Sequence, residues 1–244
     1  MLHTTPYSES SVVAKVFTRQ MGVKSYIIKG VRGNRGRVKQ NLLQPLSSLD
    51  MVVYDNDRND LNYIKELAPR HPEMLSDPVW NALRFFMTEV LYKALRESEP
   101  MPVLFDYVDS VFGEQCSVNS ETKHLPIFFL LTVARHLGIE PLDNNCTREP
   151  YFDLQEGRFV SAPTETTLAP ALSTTLHEYL LSYHSLSATH LLSPEVYRTP
   201  SSFTSSHSLS SRRELIDALI TYYHLHLSGF SHFHSHEILH TILK

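Results

Sequence analysis

The hydrophobic pattern of this chain changes period once, near residue 76, and that switch limits the fold more than any other feature. Before it, short runs rich in β-branched and aromatic residues alternate with turn signals. Ser11–Thr18 (SVVAKVFT) is followed by the turn Gln20-Met21-Gly22, and Lys24–Val31 (KSYIIKGV) forms a second run. Leu46–Asp55 closes at Asp55-Asn56-Asp57, Leu61–Leu67 follows, and Leu2–Thr5 offers a short fifth run. Several strands with no helix between them point to a small barrel, because closure removes exposed edges. Pro69 and Pro72 then interrupt the pattern, which places a domain boundary at residues 69–76.

Beyond it the period is helical. Ser76-Asp77-Pro78 is a helix start, and Trp80, Leu83, Met87, Val90, Leu91 and Ala94 recur on one face. Pro102–Gln115, Glu121–Leu137 with Gly138 as a stop, and Thr166–Tyr183 continue the pattern. Ser211-Arg212-Arg213-Glu214 has the form of a capping box ahead of Leu215–Leu227, which Gly229 ends, and a last helix spans Ser235–Leu243. Tyr151–Val160 (YFDLQEGRFV) has two aromatic-containing arms around Glu156-Gly157 and is expected to be a β-hairpin. Thr199–Ser211, with seven serines, is expected to be a mobile loop. The expected fold class is therefore multi-domain α+β. A small barrel at residues 1–75 precedes an all-α domain at 76–244 that carries a hairpin near 151–160.

Charge is divided as sharply as periodicity. The net charge is −4, yet residues 1–50 hold eight basic side chains, Lys15, Arg19, Lys24, Lys29, Arg32, Arg35, Arg37 and Lys39, against Glu9 and Asp50. A localised basic face is the footprint of a polyanion ligand. The segment Lys29–Asn41 (KGVRGNRGRVKQN) concentrates it, with Gly30, Gly33 and Gly36 allowing close backbone approach. In an extended chain Arg35, Arg37 and Lys39 point to one side, about 6.6 Å apart, comparable with the phosphate repeat of a stretched single strand. Arg19, Lys24 and Lys29 can add to that face, and Tyr26 can offer a ring for base stacking. Cations with few base-edge readers bind nucleic acid without regard to sequence.

Other classes find less support. No phosphate-cradling G-x-x-x-x-G-K-[ST], nucleophile elbow G-x-S-x-G or H-E-x-x-H occurs, so no enzymatic role is expected. Asp55, Asp57 and Asp60 fit a turn better than a metal loop. His232, His236 and His240 would share a helical face, but no carboxylate or cysteine in that stretch closes a metal set, and a wet helix face is the plainer account. Cys116 and Cys146 are expected to be free thiols in a reducing compartment. The residues from Met1 carry no basic patch followed by an apolar run, and the longest apolar stretch, Leu125–Ala134, is too short to span a bilayer. A cytoplasmic protein without cofactor or membrane contact is expected.

Tyr7-Ser8-Glu9-Ser10-Ser11, Val12–Arg19 with Gly22, Lys29-Gly30-Val31-Arg32 and Leu43-Gln44-Pro45-Leu46 together resemble the RecO family. Leu91–Arg96 and Arg135-His136-Leu137-Gly138 extend the likeness, and Tyr151–Phe159 with Tyr222–Leu227 resembles its Bacteroidetes branch. The resemblance implies an oligonucleotide-binding (OB) barrel and a helical domain. It implies a DNA repair and recombination mediator of the RecF pathway, associated with the bacterial nucleoid. Such a mediator binds single- and double-stranded DNA, anneals strands and, with RecR, helps RecA replace single-strand-binding protein (SSB). The barrel cations, with Tyr26, become the DNA-contact candidates. The family pocket for the acidic, Phe-ended SSB tail is placed on the helical domain, with Lys123, Phe128 and Arg135 as candidates.

Two departures matter. Where many RecO proteins carry two C-x-x-C pairs, this chain reads Asp143-Asn144-Asn145-Cys146 and Ser161-Ala162-Pro163-Thr164, so no zinc is expected and hairpin packing must replace it. The family also has more residues before Tyr7, so either the start is truncated or one barrel edge is open. The competing readings are a generic OB-fold nucleic-acid binder outside recombination and a metal-dependent hydrolase built on the histidine tail.

Overall fold

The computed structural model describes residues 1–31, 40–54, 61–70, 77–97, 99–113, 122–189 and 208–242. It has two compact units, 1–77 with 95–116 and 78–94 with 117–244. The first is a five-stranded sheet: β1 (His3–Pro6), β2 (Ser11–Thr18), β3 (Gly22–Lys29), β4 (Leu49–Tyr54) and β5 (Asn62–Pro69). Its order is β1-β2-β3-β5-β4, with β3 and β5 parallel and the other pairs antiparallel. This is the OB arrangement expected of five strands in a partly open Greek-key barrel. A Leu46 N–H bond of 2.9 Å to the Met1 carbonyl ties the stretch before β1 to the one before β4.

Alternation along β2 and β3 builds the core of this unit. Val12, Ala14 and Val16 face Ile28, Tyr26 and Lys24 across the ladder, and Met1, Met51, Val53, Ile64 and Leu67 join that inner cluster. The segment 95–113 includes α2 (Pro102–Gly113), whose Phe105 meets Phe17 edge to face at 5.6 Å and whose Phe105, Val108 and Phe112 line a cavity with Val16, Tyr26 and Met51 of the inner cluster. Gly22 permits its seating. With φ +65, its missing Cβ would lie 2.2 Å from the Glu99 carbonyl oxygen.

The second unit is helical: α1 (Pro78–Ala94), α3 (Leu125–His136) after a 3-10 turn, α4 (Pro170–Thr189), α5 (Leu209–His226) and α6 (Ser235–Ile242). Leu125–Ala134 is buried on every side, so α3 is the axis around which α1, α4 and α5 pack, with α6 against α1 and α5. Gly138, at φ 72, stops it as its sequence position requires. Among the described residues no helix is long and apolar enough to cross a membrane.

Three boundaries differ from the sequence pattern. Ser208, not Ser211, caps α5, its hydroxyl accepting from the Ser211 N–H at 3.1 Å, so the helix begins six residues before Leu215. The serine-rich stretch therefore contributes its end to a helix, and residues 199–207 lie outside the described residues. The helix expected from Thr166 begins at Pro170, because the preceding threonines are engaged elsewhere. Their partner is Asp153, at the end of β6 (Tyr151–Asp153), which pairs with β7 (Arg158–Val160) as the expected hairpin.

Asp153 is 2% exposed and accepts four hydrogen bonds: from Thr164 Oγ1 at 2.5 Å, Thr166 Oγ1 at 2.9 Å, Gln155 N at 2.8 Å and Glu156 N at 3.0 Å. On the other side, Asn144 brackets Phe159, donating to its carbonyl at 3.0 Å and accepting from its N–H at 2.8 Å. These bonds join 143–146, 151–160 and 161–167. Burial alone would raise the Asp153 pKa, but the donors prevail and hold it below its ordinary value of 3.8.

Replacing Asp153 with Ala is expected to cost about 1–3 kcal/mol, since it removes the buried acceptor that four donors share, read as a lowered denaturant midpoint. Because the folded pKa is depressed, this contribution is full above pH 3.8 and is lost as pH falls through the folded value. An acid titration of stability checks the sign: Asp153→Asn should flatten the loss in that window.

Candidate nucleic-acid interface

Register, rather than sequence spacing, decides which cations share a face. On β2 and β3, Lys15 pairs with Ser25 and Ser11 with Lys29, while Val16 pairs with Lys24. Lys15 and Lys29 therefore lie on the outer face and Lys24 on the inner, core-bearing one. The expectation that Lys24 and Lys29 add to one stripe is corrected: an odd separation along a strand sends them to opposite sides. Tyr26 is corrected too. It lies 1% exposed within the inner cluster, so its ring is a core ring and unavailable for stacking.

The outer face supplies other aromatics. Tyr63 is 40% and Tyr54 60% exposed, and the two are direct cross-strand partners on β5 and β4. Tyr63 is also in register with Ile27 of β3, and Lys29 Nζ stands 4.2 Å from the Tyr63 ring centroid. A cation and two accessible rings thus form a row across three adjacent strands. The sequence signal was present, since Val53-Tyr54 and Asn62-Tyr63 end and begin their strands, but the pairing that aligns the rings is non-local.

Lys15 and Arg19 are already engaged. Lys15 Nζ lies 2.9 Å from Glu97 Oε1. Arg19 grips Asp106 with two parallel bonds, Nε to Oδ1 at 2.7 Å and Nη2 to Oδ2 at 2.9 Å. The hydrogen bond and charge of Arg19 hold the Asp106 carboxyl below its usual range. Among the described residues, no carboxylate pairs with Lys24 or Lys29. Arg32, Arg35, Arg37 and Lys39 lie outside the described residues.

The candidate partner pocket on the helical unit does not assemble. Phe128 is 5% exposed and packs edge-on to Tyr179 at 5.5 Å, so it is a core residue rather than the lining of an accessible pocket. Lys123, in the turn before α3, and Arg135, in its last turn, are separated by about 18 Å of helix. One terminal carboxylate cannot bridge them. Arg135 lies 3.9 Å from Glu140, which His184 Nε2 approaches at 3.0 Å.

The histidine tail is also rearranged. His232 precedes α6, so only His236 and His240 share that helix. They face Asp217 of α5 at 4.0 and 3.5 Å. Among the described residues, no group of three or more His, Cys, Asp or Glu side chains is disposed to hold a metal.

Comparison with known proteins adds to this geometry. Residues 1–72 match the family model described as Recombination protein O N terminal, and residues 75–235 match Recombination protein O C terminal. A protein of Porphyromonas gingivalis named DNA repair protein RecO is 30% identical over 249 residues, covering 99% of this chain and 96% of that protein. Proteins of the same name from Phocaeicola vulgatus and Azobacteroides pseudotrichonymphae are 28% and 24% identical, covering 98% and 99% of this chain and 95% of each relative.

Truncating Phe128 to Ala is expected to cost roughly 3–5 kcal/mol through the cavity it leaves. Equilibrium unfolding measures this, and a loss well below that range would mean that the ring is not part of the core.

Proposed function

The chain belongs to the RecO family, and from that membership we propose that it mediates DNA repair and recombination by binding single- and double-stranded DNA through the outer face of its barrel. Its work is binding rather than catalysis: it brings strands together for annealing and, with RecR, assists RecA in displacing SSB, in the cytoplasm at the nucleoid. The observation that carries this reading is the row Lys29–Tyr63–Tyr54, which opens at the end of β3 where the basic segment 32–39 begins.

The chemistry divides between the two parts. Exposed rings stack on unpaired bases whatever their identity, because every base has a π face. Lys29 beside Tyr63 places a cation within reach of the adjoining phosphate, and Arg32, Arg35, Arg37 and Lys39 continue the contact along the backbone. A duplex hides its base faces, so duplex binding draws on the cations alone. The helical unit is proposed to receive RecR and the acidic tail of SSB. Of Lys123, Phe128 and Arg135, only Arg135 is retained as a cation for that tail, since Phe128 is buried and Lys123 is remote from it.

Two sets of variants test this. Changing Tyr54 and Tyr63 together to Ala is expected to weaken single-strand binding at least tenfold, at about 1–3 kcal/mol per stacked base, while leaving duplex binding nearly unchanged. Changing Arg35, Arg37 and Lys39 to Ala should make the salt slope on single strands shallower by about 2. Fluorescence anisotropy across a salt series reads both, and unaltered affinity and slope in both sets would remove the assigned face. Pull-down with the SSB tail peptide tests the partner half.

A further inference from the structure

The segment 95–113 carries charge opposite to the barrel it lies on. It holds Glu97, Glu99, Asp106 and Asp109 against a single cation, Arg96, whereas residues 1–50 hold eight cations and two acids. Three of those carboxylates meet barrel-side cations: Glu97 with Lys15 at 2.9 Å, Asp106 with Arg19 at 2.7 Å, and Asp109 with Arg70 at 3.4 Å. The Arg19–Asp106 pair is bidentate, and it uses the same donor fork that an arginine offers a phosphate.

These carboxylates are delivered by the backbone. Glu97 forms a bridge with Val23 at the start of β3, and the Glu99 main chain fills the space that a side chain at Gly22 would need. Phe105 against Phe17 holds α2 to the end of β2. The acids are therefore held in place without relying on the ion pairs. The Arg19–Asp106 pair is wet, with side-chain exposure of 55% for Arg19 and 51% for Asp106. The apolar and backbone contacts already seat the segment, so its folding does not by itself call for acids matched to the barrel cations.

We propose that residues 95–113 are an acidic guard, in which Glu97 and Asp106 take the place of DNA phosphates on Lys15 and Arg19 and so cap the affinity of the barrel for nucleic acid. The inference rests on the reading that the outer face binds DNA, and it concerns the strength of that site. Lys15 lies on the outer face with Lys29, and Arg19 follows the end of β2 about four residues, or roughly 13 Å, further on. That interval is near two phosphate repeats of an extended strand. With both cations occupied, a bound strand is held by fewer contacts and can leave more readily, as annealing requires.

The test uses the full chain and a fluorescent 30-nucleotide single strand, titrated from about 50 to 200 mM salt. Glu97→Gln with Asp106→Asn keeps side-chain shape and removes the negative charge facing both cations. It is expected to tighten binding about tenfold and to steepen the salt slope by about 1.4, at 0.7 per phosphate gained. Asp106→Asn alone, in the exposed pair, should steepen it by about 0.7, and serves if the double variant does not fold. Adding Lys15→Ala and Arg19→Ala to the double variant should abolish the gain. Glu156→Gln with Glu165→Gln removes the same charge from the helical unit and should change little. An unchanged slope, a gain that survives loss of Lys15 and Arg19, or an equal gain from the control pair would overturn the guard while leaving DNA binding intact. Absence of binding by the wild type and every variant would instead sink the DNA reading and the guard with it.

Discussion

The antiparallel ladder between β2 and β3, running from Ser11 opposite Lys29 to Thr18 opposite Gly22, fixes what every other residue of the barrel can do. Because side chains alternate, this one register sends Val12, Ala14, Val16, Tyr26 and Ile28 inward and Lys15, Phe17 and Lys29 outward. A slip of one residue would exchange the two sets, exposing the core and burying two lysines. Gly22 stands at the end of the ladder and has two duties: its positive φ closes the hairpin, and its bare Cα admits the Glu99 backbone. The element that ends the hairpin thus also seats the segment 95–113 against it.

The helical unit solves a different problem, that of anchoring a small hairpin with three-residue strands. Two strands this short are not stable alone. Asp153 and Asn144 gather three segments by side-chain bonds to backbone and hydroxyl groups, and Phe152 and Phe159, in edge-to-face contact at 5.1 Å, put the apolar side of the hairpin into the core. Tyr222 and His226 of α5 reach back to the Ile139 and Leu154 carbonyls at 2.8 and 2.9 Å. The work is spread over several bonds converging on one carboxylate, which is why acid is expected to loosen the hairpin.

What the sequence disclosed, it disclosed through local rules. The β-branched run of β2, the Glu156-Gly157 turn and the apolar face of α1 each announce themselves within about ten residues, and each was placed nearly to the residue. The five-strand barrel with a parallel β3–β5 pair agrees with the family resemblance. The faces of Lys24 and Tyr26 were misjudged because they depend on register, which is set by partner strands and not by spacing to the next basic residue. Ser208 is obscured as a cap in the sequence because Ser211 and Glu214 present the fuller motif three residues on. Proximity of Glu97 and Asp106 to Lys15 and Arg19 was invisible for the plainest reason: contacts between residues 80 to 90 positions apart leave no local trace.

A protein with net charge −4 that grips a polyanion must keep its acids from spoiling its cations, and the distribution of charge here shows how. Most carboxylates lie beyond residue 50, and water and salt screen exposed charges at more than about 8–10 Å. Among the described residues, the carboxylates that meet Lys15, Arg19 and Arg70 are those of 95–113, held by Phe105 and by the backbone at Gly22 instead of by their own attraction. Placement and charge are therefore separable in this segment. Point changes in its acids can tune the electrostatics of the outer face while the apolar seat persists, which is the condition for adjusting a grip without refolding the hand.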